Sequence, residues 1–160
     1  MDGKPPSTTT AWRTLARAFD FAGRATRSEV AHYVLATLLV TVPVSLVTGL
    51  ALPYVVHLLI GNALAALLAI PVPALLARRL HDTGRSGSWA WLAVPGFALW
   101  AGRTVLAATL GIEARLGFDR VAWLLDWVAI LANLAILALI VLPPSLGANR
   151  FGPDPRGNSG

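Results

Sequence analysis

The stretch that decides the fold runs from Val30 to Ala77 and reads VAHYVLATLLVTVPVSLVTGLALPYVVHLLIGNALAALLAIPVPALLA. These 48 residues contain no Lys, Arg, Asp or Glu. A bilayer core about 30 Å thick is crossed by about 20 helical residues, so the stretch is long enough for two crossings. Gly49 to Pro53 predicts the turn between them, because Gly tolerates positive φ and Pro suits the first turn of a helix. We therefore predict spans at residues 30–50 and 52–77.

Two further apolar segments follow this stretch. Residues 88–110 are predicted to form a third span, kinked at Pro95-Gly96 and interrupted by Arg103. Residues 121–142 are predicted to form a fourth, ended by Pro143-Pro144, which lack the N–H groups that would continue a helix. The chain is 56% hydrophobic and only 13% charged, against about 25% charged residues in soluble proteins. The composition excludes a soluble globule and predicts an all-α polytopic membrane protein with four transmembrane helices.

The residues before the first span are predicted to form a disordered tail (1–10) and an amphipathic helix with the first polar motif (11–29). Trp12, Leu15 and Phe19 recur at helical spacing, as in a helix that lies in the membrane interface. A packed cap on the helical bundle fits the same spacing. Thr26 and Glu29 have the spacing of a capping box, so we expect Thr26 to begin the first long helix. Residues 30–142 are predicted to form the four-helix membrane domain, and residues 143–160 a cytoplasmic turn motif and tail.

The basic residues predict the orientation of the chain. A net charge of +5 is compatible with a nucleic-acid partner, but the 13 basic residues lie at the ends of apolar runs, as membrane orientation signals do. We therefore expect no nucleic acid. If both termini are cytoplasmic, only Arg103, Arg115 and Arg120 lie on or toward the outside. The ten basic residues then on the inner side are Lys4, Arg13, Arg17, Arg24, Arg27, Arg78, Arg79, Arg85, Arg150 and Arg156.

Three polar motifs punctuate the spans. They read GRATRSE at residues 23–29, RRLHDTGRSG at residues 78–87 and NRFGPDP at residues 149–155. In order and in spacing to the apolar segments they resemble the YhaH/YhaI-like family of small bacterial inner-membrane proteins, over Phe21 to Pro155. The resemblance implies an integral inner-membrane protein of uncharacterised biochemical function. With four spans, all three motifs share one face, and we expect the third motif to contact the central one.

The central motif has two interpretations. Arg78 and Arg79 suit the carbonyl end of a helix and are ordinary stop-transfer anchors. Alternatively, the arginines converge on a lipid phosphate or a partner carboxylate, which guanidinium groups bind bidentately, and Asp82 orients one of them. The residues of this lipid- or partner-binding hypothesis are Arg24, Arg27, Arg78, Arg79, Asp82, Arg85 and Arg150. The expected partners are membrane lipids, including anionic ones, with a membrane-protein partner or a second copy of the chain left open.

No catalytic or metal site is predicted. His81 and Asp82 are adjacent, and neighbouring residues on a helix do not normally form a hydrogen-bonded dyad. The chain has no cysteine, and His32, His57 and His81 lie near opposite ends of spans. We expect no catalytic residue, cofactor or metal, and we therefore predict that the protein is not an enzyme. A phosphatase or hydrolase is the weaker alternative.

A second group of polar residues falls inside the spans. Arg103 and Asp126 are predicted at similar depths, with His57 at the same level, so we expect an intramembrane polar cluster of these three residues with an Arg103–Asp126 ion pair. In the alternative, the long side chain of Arg103 snorkels to the outer interface. This cluster supports the rival function, a small transporter or channel component. The almost wholly apolar inner half of the spans favours the non-enzymatic contact function.

Overall fold

The structure is a computed structural model that describes residues 10–156. Within that range the chain folds into six α-helices and one 3-10 helix. They are α1 (Thr10–Ala16), α2 (Arg27–Ala51), α3 (Tyr54–Ala69), α4 (Val72–Asp82), the 3-10 helix Gly87–Ala93, α5 (Val94–Thr109) and α6 (Ile112–Val141). The predicted tail at residues 1–10 lies outside the described residues except for Thr10, which begins α1, and the last four residues of the predicted C-terminal tail also lie outside them.

Four helical segments are long and apolar enough to cross a membrane. They are Arg27–Ala51, Tyr54–Asp82, Gly87–Thr109 and Ile112–Val141. The chain is therefore an all-α polytopic membrane protein with four transmembrane helices, as predicted. Because four crossings return the chain to its starting side, the three polar motifs meet at one end, which we call the motif end. The opposite end carries the α2–α3 and α5–α6 turns, and we call it the hairpin end.

The first helix is shorter than the sequence suggested. The spacing of Trp12, Leu15 and Phe19 predicted a helix that extends at least to Phe19, but α1 ends at Ala16 and a turn follows. The Asp20 carboxylate explains the difference, because it accepts hydrogen bonds from Arg17 Nε (2.8 Å) and from the Ala22 N–H (2.9 Å). Such local side-chain bonds compete with helical ones. Gly23 then adopts a positive φ of 80°, which ends any continuation into α2.

The start of α2 is capped as predicted. Thr26 is extended and its hydroxyl accepts a hydrogen bond from the Glu29 N–H at 3.1 Å. The Glu29 carboxylate does not complete the reciprocal half of a capping box. It lies instead 3.3 Å from both the Thr14 hydroxyl and the Arg78 guanidinium. The first motif is thereby joined to α1 and to α4.

The second span is broken where one helix was expected. Pro71 and Pro73 cannot donate to the carbonyls one turn before them, and α3 gives way to α4 at Ile70-Pro71. Two carbonyls near the break accept hydrogen bonds from other donors. The Ile70 N–H donates to Leu67 at 3.3 Å, and the Tyr33 hydroxyl donates to the Leu68 carbonyl at 2.5 Å. The break is thus held by a side chain from α2.

The last helix begins nine residues before the predicted start of the fourth span. Residues 112–120 include several charged side chains and were not predicted to be helical, but they form the first turns of α6. Arg115 and Asp119 are one turn apart and contact each other at 3.7 Å, which is compatible with an exposed helical surface. At 1.5 Å per residue, 30 residues extend about 45 Å, which exceeds the hydrocarbon core of about 30 Å. The first turns of α6 therefore reach beyond the hydrocarbon or the helix tilts.

Side-chain packing is concentrated around α4. Two buried apolar clusters include Leu75 with Tyr33, and Leu76 and Leu80 with Ile136. Along the other spans the large apolar side chains are mostly exposed on the protein surface, as expected where lipid supplies their surroundings. The protein core thus lies at the motif end, beside the polar motifs.

Candidate functional site

A buried ionic network centred on Asp82 joins the three polar motifs. Asp82 ends α4 and is fully buried. One carboxylate oxygen accepts from Arg24 Nε at 2.9 Å and contacts Arg156 at 3.3 Å, and the other accepts from Arg79 at 2.5 Å. Three arginines from three parts of the sequence therefore share one carboxylate. A buried ionised carboxylate requires such partners, because an unpaired charge away from water is strongly unfavourable.

Arg79 caps the end of α6. Its Nε donates to the Ile140 carbonyl at 2.8 Å, and a terminal nitrogen donates to the Leu142 carbonyl at 2.6 Å. The helical partner of the Ile140 carbonyl would be the N–H of residue 144, which is a proline and has none. Arg79 supplies the missing donor. A fully buried guanidinium and an orphaned helix end thus satisfy each other.

Arg24 holds the segment that follows α6. Its two terminal nitrogens donate to the carbonyls of Gly147 (2.6 Å) and Ser145 (2.8 Å). The Ser145 N–H and hydroxyl in turn donate to the main-chain carbonyl of Asp82 at 2.8 and 3.1 Å. Arg24 is only 5% exposed. The C-terminal segment is therefore bound to both the first and the central motif.

Arg78 plays the same part for the N-terminal segment. One terminal nitrogen donates to the carbonyls of Arg17 (2.9 Å) and Asp20 (2.6 Å), just after α1, and the other contacts Glu29. The Arg78 carbonyl accepts from the Ala25 N–H at 3.0 Å. Because Arg78 and Arg79 are consecutive on a helix, their side chains point to different sides of α4. One holds the N-terminal segment and the other holds α6.

The arginines of the sequence hypothesis thus divide into two sets. Arg24, Arg78 and Arg79 are buried with Asp82, and their terminal nitrogens donate to protein carbonyls or carboxylates. This geometry does not support their direct binding of a lipid phosphate. Arg27 and Arg85 are exposed at the motif end. Their side chains make no hydrogen bond or ion pair with any residue in the range 10–156. Sequence reasoning missed Glu29 and Arg156 as partners of the network.

The third motif contacts the central one directly, as predicted. The Asn149 amide donates to the His81 carbonyl at 2.9 Å, and the Phe151 ring stacks on the His81 ring with centroids 3.9 Å apart. The exposed Arg150 guanidinium lies over the same Phe151 ring, 4.7 Å from its centroid. The turn is closed by paired main-chain bonds between Asn149 and Gly152.

A second ionic cluster lies toward the hairpin end. One terminal nitrogen of Arg103 is 2.8 Å from both carboxylate oxygens of Asp126, so the expected ion pair is present. Arg103 Nε also contacts Asp119 at 2.5 Å. Sequence analysis did not include Asp119, because residues 112–120 lay between the predicted third and fourth spans. His57 has a different partner, the Thr48 hydroxyl at 2.8 Å, and no hydrogen bond joins it to Arg103 or Asp126.

Neither cluster has the ligand set of a metal site. Among residues 10–156 no group of three or more His, Cys, Asp or Glu side chains lies close enough to hold a metal ion. His81 and Asp82 do not act as a pair. His81 Nδ1 faces the Gly23 carbonyl at 3.1 Å, while the Asp82 oxygens face arginines.

Two carboxylates outside the spans have shifted pKa values. The hydrogen bond from Arg17, with help from the Ala22 N–H, lowers the pKa of Asp20. The Arg156 side chain and main chain likewise lower the pKa of Asp154. Each lowered pKa stabilises the folded chain above the ordinary carboxyl pKa, and the contribution is lost as the pH falls through the folded value.

These features define a class: a four-span membrane protein whose polar motifs are joined by buried arginines at one end. The chain belongs to the family described as "Protein of unknown function (DUF805)", whose model matches residues 18–153. It is similar to inner membrane protein YhaI of Escherichia coli strain K12 and to that of E. coli O157:H7. Each is 42% identical over 94 residues, or 57% of this chain and 75% of the relative. No solved structure is significantly similar. The chain is thus a multi-pass inner-membrane protein.

Removal of the Asp82 carboxylate is expected to destabilise the fold strongly. Asp82→Ala leaves Arg24 and Arg79 buried without their anion, which typically costs about 3–5 kcal/mol. Asp20→Ala is the matched control, because it removes an aspartate that pairs with a half-exposed arginine, and such pairs contribute about 0–1 kcal/mol. Unfolding in detergent, followed by circular dichroism, measures both. Equal losses in the two variants would contradict the assigned role of Asp82.

Substitutions in the second cluster are expected to be coupled and unequal. Arg103→Leu leaves Asp126 without a cation and leaves Asp119 only its 3.7 Å contact to Arg115, whereas Asp126→Leu leaves Arg103 paired with Asp119. Arg103→Leu should therefore be the more destabilising variant, and the double variant should recover about 1 kcal/mol relative to the sum of the single losses. The same unfolding measurement tests this. Additive losses would mean that the ion pair does not contribute to stability.

Proposed function

We propose that the chain is a non-enzymatic inner-membrane protein that acts through lipid or protein contacts at its arginine-rich motif end, which faces the cytoplasm. One observation carries the proposal. Four exposed arginines at this end have no acidic partner among residues 10–156. They are Arg13, Arg27, Arg85 and Arg150. An exposed cluster of one sign of charge favours an anionic partner.

The buried network supports this role indirectly. It fixes the segments from which the free arginines project: Arg27 follows the capping residue Thr26, and Arg150 follows Asn149, which is bonded to His81. Arg85 is held near the end of α4 by its N–H, which donates to the Leu80 carbonyl at 3.0 Å. Guanidinium groups on a fixed surface lose less freedom on binding a phosphate or a carboxylate. The buried arginines shape the surface, and the exposed ones make the contacts.

The anionic partner fits the position of these arginines. Arg27 is the first residue of a membrane-spanning helix and so lies near the lipid headgroups. A basic residue close to an anionic leaflet contributes about 1 kcal/mol to the attraction. A protein partner with an acidic surface has the same chemistry. One experiment, which identifies the lipids and proteins recovered with the chain, therefore distinguishes lipid contacts from protein contacts at this end.

The distribution of charge supports the cytoplasmic orientation of the motif end. Nine of the twelve arginines lie at this end, and Arg103, Arg115 and Arg120 lie in the hairpin half. Short loops rich in Lys and Arg remain on the cytoplasmic side of bacterial membranes. An even number of crossings then leaves both termini in the cytoplasm.

The rival transport function rests on the Arg103 cluster and on a nearby cavity of about 420 Å³ lined by Thr41, Ser45, His57 and Asn62. Transport needs a polar path that connects the two ends. The segments between this cavity and the motif end, Leu64 to Ile70 and Leu134 to Leu142, contain only apolar residues. We therefore rank transport second.

The orientation predicts the accessibility of single cysteines, which are clean probes because the chain has none of its own. Glu113→Cys lies in the first turn of α6 at the hairpin end, and Ala148→Cys lies at the motif end; both positions are exposed. An impermeant thiol reagent added to intact cells should label Glu113→Cys and leave Ala148→Cys unlabelled until the cells are permeabilised. The opposite pattern would place the motif end outside.

Neutral variants of the exposed arginines test the contact function. Arg27→Gln and Arg150→Gln combined should reduce the anionic lipid or partner protein recovered with the chain from native membranes by at least fivefold, since each arginine is worth about 1 kcal/mol. Mass spectrometry of lipids and proteins measures the recovery. Arg120→Gln, an exposed arginine in the hairpin half, is the control and should change nothing. Unchanged recovery in the double variant would contradict the proposal.

A further inference from the structure

An apolar cavity of about 760 Å³ opens beside the central motif, between α3, α4, the 3-10 helix and α5. Its walls are mainly aliphatic and aromatic. Representative lining residues are Ala66, Ile70, Leu76, Trp91, Val94 and Phe97. Several of these side chains are on the surface that faces lipid, so the cavity is a groove that an acyl chain in the bilayer can enter. We call it the α3–α5 groove.

One end of the α3–α5 groove is polar. His81, Ser86 and Ser88 line it there, and the two serine hydroxyls are 2.9 Å apart. His81 Nδ1 lies 3.1 Å from the Gly23 carbonyl, and because a carbonyl only accepts, Nδ1 donates this hydrogen bond. Nε2 faces Gly87, where an added Cβ would lie 2.9 Å away. The Ala77 Cβ would lie 3.0 Å from the same added atom, so glycine at this position lets the 3-10 helix pack closely against α4.

Two arginines adjoin residues at the polar end of the α3–α5 groove. Arg85 directly precedes Ser86, is exposed, and has no side-chain partner among the residues that the structure describes. Arg150 lies over the Phe151 ring, which stacks on His81. The nearest carboxylate in the sequence, Asp82, is fully buried and already shared by three arginines. The charge at this end is complementary to a phosphate.

The length of chain that lines the α3–α5 groove from Ser88 to Phe97 is similar to the thickness of one leaflet. From Ser88 to Phe97 the chain rises about 2 Å per residue in the 3-10 helix and about 1.5 Å per residue in α5, roughly 16 Å in total. Half of a hydrocarbon core of about 30 Å is about 15 Å. A molecule with its phosphate at Arg85 would therefore place its acyl chain along the apolar wall within the same leaflet.

From these features we infer that the α3–α5 groove binds one acyl chain of an anionic phospholipid, with the phosphate held by Arg85, Ser86 and Ser88. The inference rests on the proposed function and gives it a defined ligand and site. An acyl chain gains little by leaving lipid for an apolar groove, because both surroundings are alike. Selectivity for the lipid therefore comes from the charged headgroup, and the groove fixes where the lipid sits.

Native mass spectrometry of the full chain in detergent micelles tests the inference. Phosphatidylglycerol, phosphatidylcholine with the same acyl chains, and inorganic phosphate are the probes. Ala66→Phe fills the groove, and Ala135→Phe places the same ring on an exposed alanine of α6 as a control. Arg85→Gln removes the positive charge that would bind the lipid headgroup. Arg120→Gln is its control in the hairpin half. Thermal unfolding in detergent identifies any variant that has lost its fold.

The expected result is at least fivefold stronger binding of phosphatidylglycerol than of phosphatidylcholine. Ala66→Phe should weaken phosphatidylglycerol binding at least fivefold, Arg85→Gln should remove the preference between the lipids, and the controls should match the unaltered chain. If Ala66→Phe unfolds, Arg85→Gln alone tests the site. Retained preference of Arg85→Gln for phosphatidylglycerol over phosphatidylcholine would overturn the site.

The remaining outcomes separate the two proposals. Loss of binding in Arg85→Gln with full binding in folded Ala66→Phe would overturn the groove and leave the contact function standing. Displacement of the lipid by millimolar inorganic phosphate would identify a phosphate site and overturn the lipid assignment. Equal binding of both lipids, with no effect of any arginine substitution, would overturn the lipid site and the lipid form of the proposed function together.

Discussion

The hydrogen bonds that buried arginines donate to main-chain carbonyls are the interaction on which the motif end depends. Pro143 and Pro144 end α6 without donors for its last carbonyls, and the turn after α1 leaves others free. Carbonyls buried without a donor are costly, so each needs a partner. Arg79 and Arg78 supply those partners on two sides of α4. The Asp82 carboxylate then neutralises part of the positive charge of these buried arginines.

This arrangement separates the arginines by task. Those that complete the fold have their terminal nitrogens occupied by protein acceptors, so substitution of Arg24, Arg78 or Arg79 would act first on stability. Those that remain free, such as Arg27 and Arg85, project from segments that the network holds in place. A loss of function in one of the buried arginines would therefore not identify a ligand contact. Under the proposed function, only substitutions of the exposed arginines test for a partner.

The sequence predicts the features that depend on local patterns. Apolar length gave the four spans, and the spacing of Thr26 and Glu29 gave the start of α2. Features that depend on contacts with residues distant in the sequence were not predicted. The Glu29 carboxylate binds Arg78, 49 residues away, and Arg79 binds the end of α6, 61 residues away. The early end of α1 was not predicted, because the Asp20 carboxylate forms local hydrogen bonds that compete with helical ones. Asp119 was not predicted as a partner of Arg103, because hydropathy does not distinguish the exposed first turns of α6 from a loop.

Amide hydrogen exchange tests the central claim that α4 binds the segments on both sides of it. The Ser145 N–H donates to Asp82 and the Ala25 N–H donates to Arg78, although both residues lie outside helices. Both amides should exchange slowly in the full chain in detergent, and Arg24→Gln should accelerate exchange at Ser145 far more than exchange in the middle of α6. Rapid exchange at Ser145 and Ala25 in the unaltered chain would contradict the account.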